Sequence, residues 1–202
     1  MVFSISEAVK HSLLQQYGLN SIVVNNGIMT KNFVTRPLSK NPDSQLRVVM
    51  VSRLDHEKKG QDLLIEAASI LNGKIHVTFI GDGDSREYLE KYAKEIKADE
   101  YVRFLGTKTQ EYIAEHLNEY DLFVQPSRYE GFGLTVAEAM AAKVPVLVSS
   151  GQGPAEVTCG DKYGWVFQNG DADELAKAID YIISNYDEAL AKAEKAYKYV
   201  CD

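Results

Sequence analysis

Residues 47–81, RVVMVSRLDHEKKGQDLLIEAASILNGKIHVTFIG, contain the pattern that decides the fold. RVVMVS is a short apolar run of the kind that forms a buried strand, and IHVTFIG is a second one. Between them, DLLIEAASIL carries its apolar residues at the spacing of one helix face. A strand, a helix and a second strand in this order predict two parallel strands joined by a crossover helix.

The same alternation continues towards the C-terminus. The further predicted helices are SREYLEKYAKEI, TQEYIAEHLNEY, LTVAEAMAA, DADELAKAIDYIIS and residues 187–200. The further predicted strands are YVRFLG, DLFVQP, VPVLVS and the short WVF at residues 165–167. Short apolar strands that alternate with helices are typical of a parallel sheet covered on both faces. We therefore predict that residues 46–202 form one doubly wound, Rossmann-like α/β domain.

The N-terminal part has a different pattern. A helix is predicted over residues 4–17, with Ser4 and Glu7 forming a capping box and Gly18 placed as the C-terminal cap. SIVV, at residues 21–24, is a short candidate strand. One helix and one strand do not form the first unit of the sheet that follows.

Two boundaries follow from this reading. Residues 31–45 contain two prolines and many polar side chains, which is typical of a linker between domains. Residues 1–30 are therefore predicted to be the tail of an N-terminal domain, and residues 46–202 the domain that follows it.

Composition restricts the classes of partner. The chain has 202 residues, of which 45% are hydrophobic and 25% charged, the balance of an ordinary globular protein. Its net charge of −7 argues against a nucleic-acid partner. An anionic ligand remains compatible with this charge where local cations outweigh it.

Cysteine usage and hydropathy indicate the compartment. Cys159 and Cys201 belong to no CxxC motif and no Cys/His cluster, which excludes a zinc module and suits a reducing cytosol. No apolar run reaches the roughly 18 residues that span a bilayer. The first residues, MVFSISEAVK, lack the pattern of a signal peptide. We expect a cytoplasmic protein.

Glycines and cations gather after the predicted strands. In open α/β sheets, ligands bind beyond the carboxyl ends of the strands. The segments found there are residues 52–60, 81–84, 106–108, 126–134 and 149–153. Glycine lets the backbone approach a ligand closely, and cations attract negative charge. These segments predict a binding site for an anion. The anion bound at sites of this kind is most often a phosphate.

The segment at residues 126–134 is the most informative. Gly131 and Gly133 lack side chains, and the helix that begins near Leu134 offers unpaired N–H groups at the positive end of its dipole. Glu130 stands just before this helix and Glu138 within it. Carboxylates beside a phosphate site are suited to accept hydrogen bonds from the hydroxyl groups of sugars and riboses.

These residues form a motif of a known family. EGFGLTVAE, residues 130–138, is an E-x7-E motif, and with SRLDHEKKG at residues 52–60 it resembles the retaining nucleotide-sugar glycosyltransferases of family four (glycosyl transferases group 1), which have the GT-B fold. VSRLDHEKKGQDLLIEA, FIGDGDSREYLEKY, VRFLG, PSRYEGFGLTVAEAM and GDADELAKAI are similar to that family's C-terminal, donor-binding domain. ISEAVKHSLLQQYG and VVNNGI are similar to the end of its N-terminal domain.

The resemblance implies roles for individual residues. Arg53 and Lys59 would grip the donor diphosphate, with the adjacent Lys58 as the alternative to Lys59. Glu130 would hold the donor sugar, and Glu138 the ribose hydroxyls. Further substrate contacts, largely through the backbone, are implied at Gly81, Arg103, Phe104, Phe132, Gly133 and Leu134. Of these, the backbone around Arg103 and Phe104 would border the base.

The implied reaction moves a sugar from a UDP-, GDP- or ADP-sugar to a carbohydrate or lipid-linked acceptor, with retention of configuration. The implied partners are the nucleotide sugar, the acceptor and a missing N-terminal Rossmann domain. The full-length enzyme would contact the inner face of a membrane peripherally. One departure from the family is Lys143, which stands where a glycine usually precedes the PV strand.

Two alternatives remain open. Asp82-Gly83-Asp84 is a D-x-D, the metal-binding signature of the other main glycosyltransferase fold. The pair of Arg53 and Lys59 suggests that cations balance the diphosphate, so we expect no metal and no other cofactor. The alternative function is that of a nucleotide-sugar-binding module without transfer activity of its own.

Overall fold

A six-stranded parallel sheet lies at the centre of the computed structural model, which describes residues 1–35 and 45–201. The strands of this sheet are β3 (Leu46–Val51), β4 (Ile75–Ile80), β5 (Val102–Phe104), β6 (Leu122–Gln125), β7 (Val146–Ser149) and β8 (Trp165–Phe167). Two shorter strands, β1 (Phe3–Ser4) and β2 (Ile22–Val23), pair in parallel as a separate sheet. The predicted α/β class with a parallel sheet is confirmed.

Helices connect the strands and cover the central sheet. They are α1 (Glu7–Tyr17), α2 (His56–Lys59), α3 (Gln61–Leu71), α4 (Arg86–Glu95), α5 (Gln110–His116), α6 (Leu134–Ala141), α7 (Gly153–Val157), α8 (Ala172–Ser184) and α9 (Tyr186–Cys201). Short 3-10 turns occur at Thr30–Asn32, Asp99–Tyr101, Leu117–Glu119 and Gly160–Lys162. Among the residues that the structure describes, no helix combines the length and apolar character needed to cross a bilayer.

Both faces of the central sheet are buried, and the side chains of strand β3 contribute to the apolar cluster on each face. Leu46, Val48 and Met50 join the apolar cluster on one face, while Val49 and Val51 join the cluster on the other. Successive side chains of a strand point to opposite faces, so a strand covered on both sides must be apolar throughout. This is why the strands are continuous apolar runs in the sequence.

Helices α3, α4 and α8 cover the first face, and α5 and α6 the second. Helix α9 reaches both, because Tyr186 and Ala189 belong to the first cluster and Ala196 to the second. Burying a large apolar side chain contributes about 1.5–3 kcal/mol. The two clusters therefore make the sheet domain a rigid support for the loops at its edges.

Strand order determines which loops become neighbours. The order β5-β4-β3-β6-β7-β8 places β3 beside β6 in the middle of the sheet. The chain winds outwards from β3 through β4 to β5, then returns and winds from β6 through β7 to β8. The crevice at such a reversal point is where open α/β sheets bind ligands. The loops that follow β3 and β6 meet at this crevice.

The N-terminal cap of helix α1 differs from the one predicted. Helix α1 begins at Glu7, and its cap is Ser6, whose Oγ accepts a 3.1 Å hydrogen bond from the amide of Val9. The predicted capping box of Ser4 and Glu7 is wrong, because Ser4 lies in β1, where it pairs with Val23 of β2. Strand β1 is too short to be recognised in the sequence. The predicted cap at Gly18 is present, with φ 65°.

Residues that follow β2 lie against the sheet domain. Phe33 is buried in the second apolar cluster, and the amide of Val34 donates to the carbonyl of Ala114 at 3.0 Å. Asn118 holds the carbonyl of Val34 through Nδ2 at 2.8 Å. Of the predicted linker, residues 36–44 lie outside the described part of the chain, and residues 31–35 contact α5 and the turn after it.

Candidate functional site

Arg53 lies at the rim of the crevice, two residues after β3 ends. Its backbone is held by Gln61, whose Nε2 donates to the carbonyl of Arg53 at 2.8 Å and to Ser52 Oγ at 3.0 Å. Gln61 is fully buried, so this support is rigid. The Arg53 guanidinium itself is exposed and lies 2.9 Å from the carboxylate of Asp84. A cation is thus presented at the rim with an exposed counter-ion that a ligand can replace.

Lys59 ends helix α2 and enters the crevice from the same loop. Gly60 follows it with φ 70°, and a Cβ there would stand 2.2 Å from the carbonyl oxygen of Pro126. Only glycine allows this approach, which brings Lys59 to the loop after β6. Its Nζ lies 2.6 Å from Oε2 of Glu130, and the two side chains are only 23% and 20% exposed. Lys58 instead pairs with Asp55 at the surface.

Residues 130–133 form a loop between β6 and α6. Backbone groups of Glu130 anchor this loop through hydrogen bonds. The amide of Glu130 donates to Gln152 Oε1 at 3.0 Å, and its carbonyl accepts from the amide of Gly153 at 3.0 Å. Gly133 adopts φ 97° and precedes the first residue of α6. The positive end of the α6 dipole therefore faces the crevice beside two cations, an arrangement that favours an anion.

A cavity of 300 Å³ gathers these groups. It is lined by Ile5, Asn26, Val51, Ser52, Arg53, Lys59, Gln125, Glu130, Phe132, Gly133, Leu134 and Thr135. Six of the predicted site residues are in this set: Arg53, Lys59, Glu130, Phe132, Gly133 and Leu134. The Phe132 side chain belongs to the apolar core, so this residue offers mainly its backbone to a ligand. The cavity combines positive charge, backbone donors and one carboxylate.

Glu138 lines a second cavity, of 460 Å³, which shares Leu134 with the first. Its Oε1 accepts a 2.7 Å hydrogen bond from Nε2 of Gln110 in α5. Burial raises the pKa of the Glu138 carboxyl, an effect that the bond from Gln110 opposes. Ile28 and Met29 also line this cavity. The Glu138 carboxylate, which accepts hydrogen bonds, thus lies half-buried next to the crevice that contains Arg53 and Lys59.

Three predicted contact residues line neither cavity. Gly81 has φ 136°, and a Cβ there would stand 1.9 Å from the carbonyl oxygen of Ser52, so its glycine is required by packing at the same rim. Arg103 and Phe104 lie on the edge strand β5, where Phe104 stacks on Phe79 at 5.0 Å and Arg103 is exposed. Their contact with a ligand stays a prediction.

The two aspartates of the D-x-D face arginines. Asp82 pairs with Arg86 at 3.1 Å, and Asp84 pairs with Arg53 at 2.9 Å. Within residues 1–35 and 45–201, no group of three or more His, Cys, Asp or Glu side chains is arranged to hold a metal ion. Asp84 is thus connected to the crevice by its ion pair with Arg53.

Several site residues were missed in the sequence. Gln61 had one recognisable signal, a glutamine at the start of a helix directly after the Lys-Lys-Gly sequence. Gln110 and Gln152 had none, because each supports a glutamate that is distant in sequence. Ile5 and Asn26 line the crevice although they belong to the segment assigned to another domain.

Comparisons with known proteins agree with this geometry. A family model described as glycosyl transferases group 1 matches residues 34–199. The amylovoran biosynthesis glycosyltransferase AmsK of Erwinia amylovora is 36% identical over 143 residues, covering 66% of this chain and 35% of its own. A GDP-mannose-dependent alpha-(1-6)-phosphatidylinositol monomannoside mannosyltransferase of Mycobacterium tuberculosis is 29% identical over 163 residues, covering 76% of this chain and 42% of its own.

Among solved structures, Anabaena Alr3699/HepE in complex with UDP and glucose superposes with a TM-score of 0.87 at 23% identity. The match covers 99% of this chain and 58% of that one. The chain thus spans between 35% and 58% of the length of the proteins described here.

Proposed function

The chain belongs to the glycosyl transferases group 1 family, and from that premise we propose that it binds a nucleotide-diphosphate sugar and supplies the donor-binding half of a retaining transferase. Its sheet domain has the fold of the C-terminal half of a GT-B glycosyltransferase. The acceptor in this proposal is a carbohydrate or a lipid-linked carbohydrate. The observation that carries the proposal is the cavity that joins Arg53, Lys59, Glu130 and the N-terminus of α6.

The donor diphosphate lies between the two cations and the helix. Arg53 and Lys59 each hold a carboxylate in the structure, and a phosphate group takes the place of each. At Arg53 a phosphate replaces an exposed ion pair worth about 0–1 kcal/mol, whereas a hydrogen bond to a charged group contributes about 1.5–3 kcal/mol, so the exchange favours the phosphate. At Lys59 the phosphate contact is gained if Glu130 finds a new partner in the donor. The N–H groups at Gly133 and Leu134 add positive potential without a carboxylate to displace.

Glu130 changes partner in this exchange. Its Oε1 accepts a 3.1 Å hydrogen bond from the amide of Gly131, while Oε2 holds Lys59. Once a phosphate engages Lys59, Oε2 becomes available for a hydroxyl group of the donor sugar. Glu138 accepts hydrogen bonds from the two ribose hydroxyls in the neighbouring cavity. Each carboxylate then binds a different sugar ring of the same donor.

The transfer step breaks the bond between the anomeric carbon and the phosphate oxygen. The bonding electrons leave with the diphosphate, and the sugar passes through an oxocarbenium-like state. Arg53, Lys59 and the α6 dipole stabilise the charge that develops on the leaving group. The acceptor hydroxyl adds to the same face of the sugar, which retains the configuration, and its proton passes to a departing phosphate oxygen. Preorganised cations of this kind can act without a metal.

A second candidate is a nucleotide-sugar-binding module that does not transfer sugar by itself. It is favoured by one observation: the donor-binding side chains lie within residues 53–138, whereas the chain spans about half or less of the curated relatives described above. Transfer requires an acceptor held in a cleft closed to water. Correct orientation of two substrates can contribute about 7–11 kcal/mol to the rate.

The test has two stages. Thermal unfolding is measured with UDP, GDP and ADP and with their sugars, and a ligand present at 100 times its Kd should stabilise the chain by about 2.7 kcal/mol. The absence of any shift with all of these ligands would overturn donor binding. The purified chain is then incubated with a labelled nucleotide sugar that binds and with a panel of acceptors. We expect binding without multiple turnovers; sustained turnover would show that this chain holds a complete active site.

A further inference from the structure

Glu156, on the short helix α7, binds the start of helix α1. Its Oε2 accepts a hydrogen bond of 2.7 Å from the amide of Glu7, and its Oε1 one of 2.6 Å from the amide of Ala8. These amides are the first two of α1 and have no partner within the helix. A carboxylate at the positive end of a helix dipole is a favourable arrangement. The contact joins residues 149 positions apart in the sequence.

The same helix α7 is attached to the 130–133 loop on its other side. Gln152 and Gly153, at the start of α7, bind the amide and the carbonyl of Glu130, each at 3.0 Å. A Cβ on Gly153 would stand 2.3 Å from the carbonyl oxygen of Gly131, so the two backbones are in direct contact. Any shift of α7 therefore moves this loop.

Two residues at the start of the chain also touch the loop directly, Ile5 just before helix α1 and Val9 within it. A Cβ on Gly131 would stand 3.1 Å from Cδ1 of Ile5 and 3.4 Å from Cγ2 of Val9. Ile5 lines the 300 Å³ cavity as well. The contacts form a closed ring that runs from the loop through α7 and Glu156 to α1, and from α1 back to Gly131.

We propose that Glu156 is a positioning residue for donor binding: it fixes the start of α1 and thereby holds Ile5 and Val9 against Gly131. The 130–133 loop contains two glycines, which lose more backbone freedom on ordering than other residues do. Packing against α1 limits that freedom before the donor arrives. This inference rests on the proposed function, and it couples the position of the N-terminal segment to the loop that binds the donor.

The first test follows the loop itself and needs no ligand. In Glu156→Gln, the amide oxygen can accept only one of the two N–H groups, and the charge is lost. We expect hydrogen exchange at the amides of Glu130 and Gly131 to become about tenfold faster, as for the loss of one charge-assisted hydrogen bond. The matched control is Glu174→Gln, because Glu174 accepts one backbone hydrogen bond, from Gln168, at an exposed position of helix α8.

Faster exchange at Glu7 and Ala8 without any change at Glu130 and Gly131 would overturn the proposal, because Glu156 would then act on α1 alone. Circular dichroism of each variant verifies that the sheet domain is folded. A general loss of protection in the Glu156 variant, extending to strands β3 and β6, would also contradict the specific role proposed for this residue.

The second test measures affinity for the nucleotide sugar that binds the unmodified chain. Glu156→Gln and Ile5→Ala should each raise its Kd about tenfold, and the double variant should be little worse than either, because residues in one contact path are not additive. Additive losses, or an unchanged Kd in Glu156→Gln, would overturn the inference. If the unmodified chain binds no nucleotide sugar, the proposed function fails, and the exchange measurement still decides the role of Glu156.

Discussion

Lys59 and Glu130 bind each other across the crevice, with Nζ and Oε2 separated by 2.6 Å. Both residues were assigned to the donor, one to its phosphates and the other to its sugar. Their side chains are only 23% and 20% exposed, so neither charge is well solvated without the other. Removing one partner of a buried pair costs more than the pair itself contributes. The donor must therefore satisfy both groups when it separates them.

Lys59→Ala should weaken the binding of a nucleoside diphosphate about 10- to 100-fold, because one charge-assisted contact is worth about 1.5–3 kcal/mol. Isothermal titration calorimetry measures the change. Lys58→Ala is the matched control, since Lys58 is exposed and pairs with Asp55. Equal losses in the two variants would contradict the choice of Lys59.

Glu130→Ala and Glu138→Ala should affect different parts of the donor. The ribose is common to all nucleotides, so Glu138→Ala should weaken plain nucleotide and nucleotide sugar alike, by about 10- to 100-fold. Glu130→Ala should mainly reduce the preference for the nucleotide sugar over the plain nucleotide. If both variants lose the same affinity for both ligands, the assignment of the two carboxylates is wrong.

Nucleotide binding should depend on pH through Glu138. Burial raises the pKa of its carboxyl, so protonation begins at a higher pH than for an ordinary glutamate. The protonated form has lost acceptor capacity for the ribose, and affinity should fall as the pH is lowered through this pKa. The same raised pKa means that ionisation of Glu138 destabilises the folded chain as the pH rises.

In Glu138→Gln, the change of nucleotide affinity with pH and the change of the free energy of unfolding with pH that arise from Glu138 should both disappear. Calorimetric titrations and urea unfolding over a pH series measure them. An unchanged pH profile in this variant would assign the titration to another group.

Chelation should leave nucleotide binding nearly unchanged, because Arg53 and Lys59 already provide two positive charges. The variant Asp84→Asn distinguishes an ion-pair partner of Arg53 from a metal ligand. It removes the carboxylate that competes with the nucleotide for Arg53. Because an exposed pair contributes about 0–1 kcal/mol, this change should strengthen nucleotide binding by no more than about fivefold. Asp82→Asn serves as the control. If EDTA abolishes binding, manganese restores it and Asp84→Asn weakens it, Asp84 is a metal ligand.

Lys143 occupies a backbone conformation that favours glycine, with φ 60°. It also pairs with Glu194 at 2.9 Å and lies 4.4 Å from the centre of the Tyr197 ring. Lys143→Gly and Lys143→Ala both lose these contacts, but only glycine relieves the backbone. The glycine variant should be more stable than the alanine variant by about 1–2 kcal/mol in urea unfolding. Equal stabilities would show that the turn carries no strain.

Much of the site could be predicted from local sequence. Gly133 and Leu134 were recognised because a glycine and a helix start are short-range features, and Arg53 because residues 52–60 resemble a family motif. The helix cap was placed at Ser4 instead of Ser6, since the choice between two nearby serines depends on the pairing of β1 with β2. Gln110 was missed because its role exists only next to Glu138, 28 residues away.

The sequence by itself determined the strands of the central sheet, its longer helices and the turns that require glycine, because each of these depends on neighbours within a few residues. The tertiary structure alone decided the strand order, with β3 beside β6. That order makes partners of Lys59 and Glu130, 71 residues apart. The packing of α1 against α7 joins Glu156 to the start of α1, 149 residues apart. Strand order depends on burying both faces of the sheet at once, and that requirement acts on the whole chain.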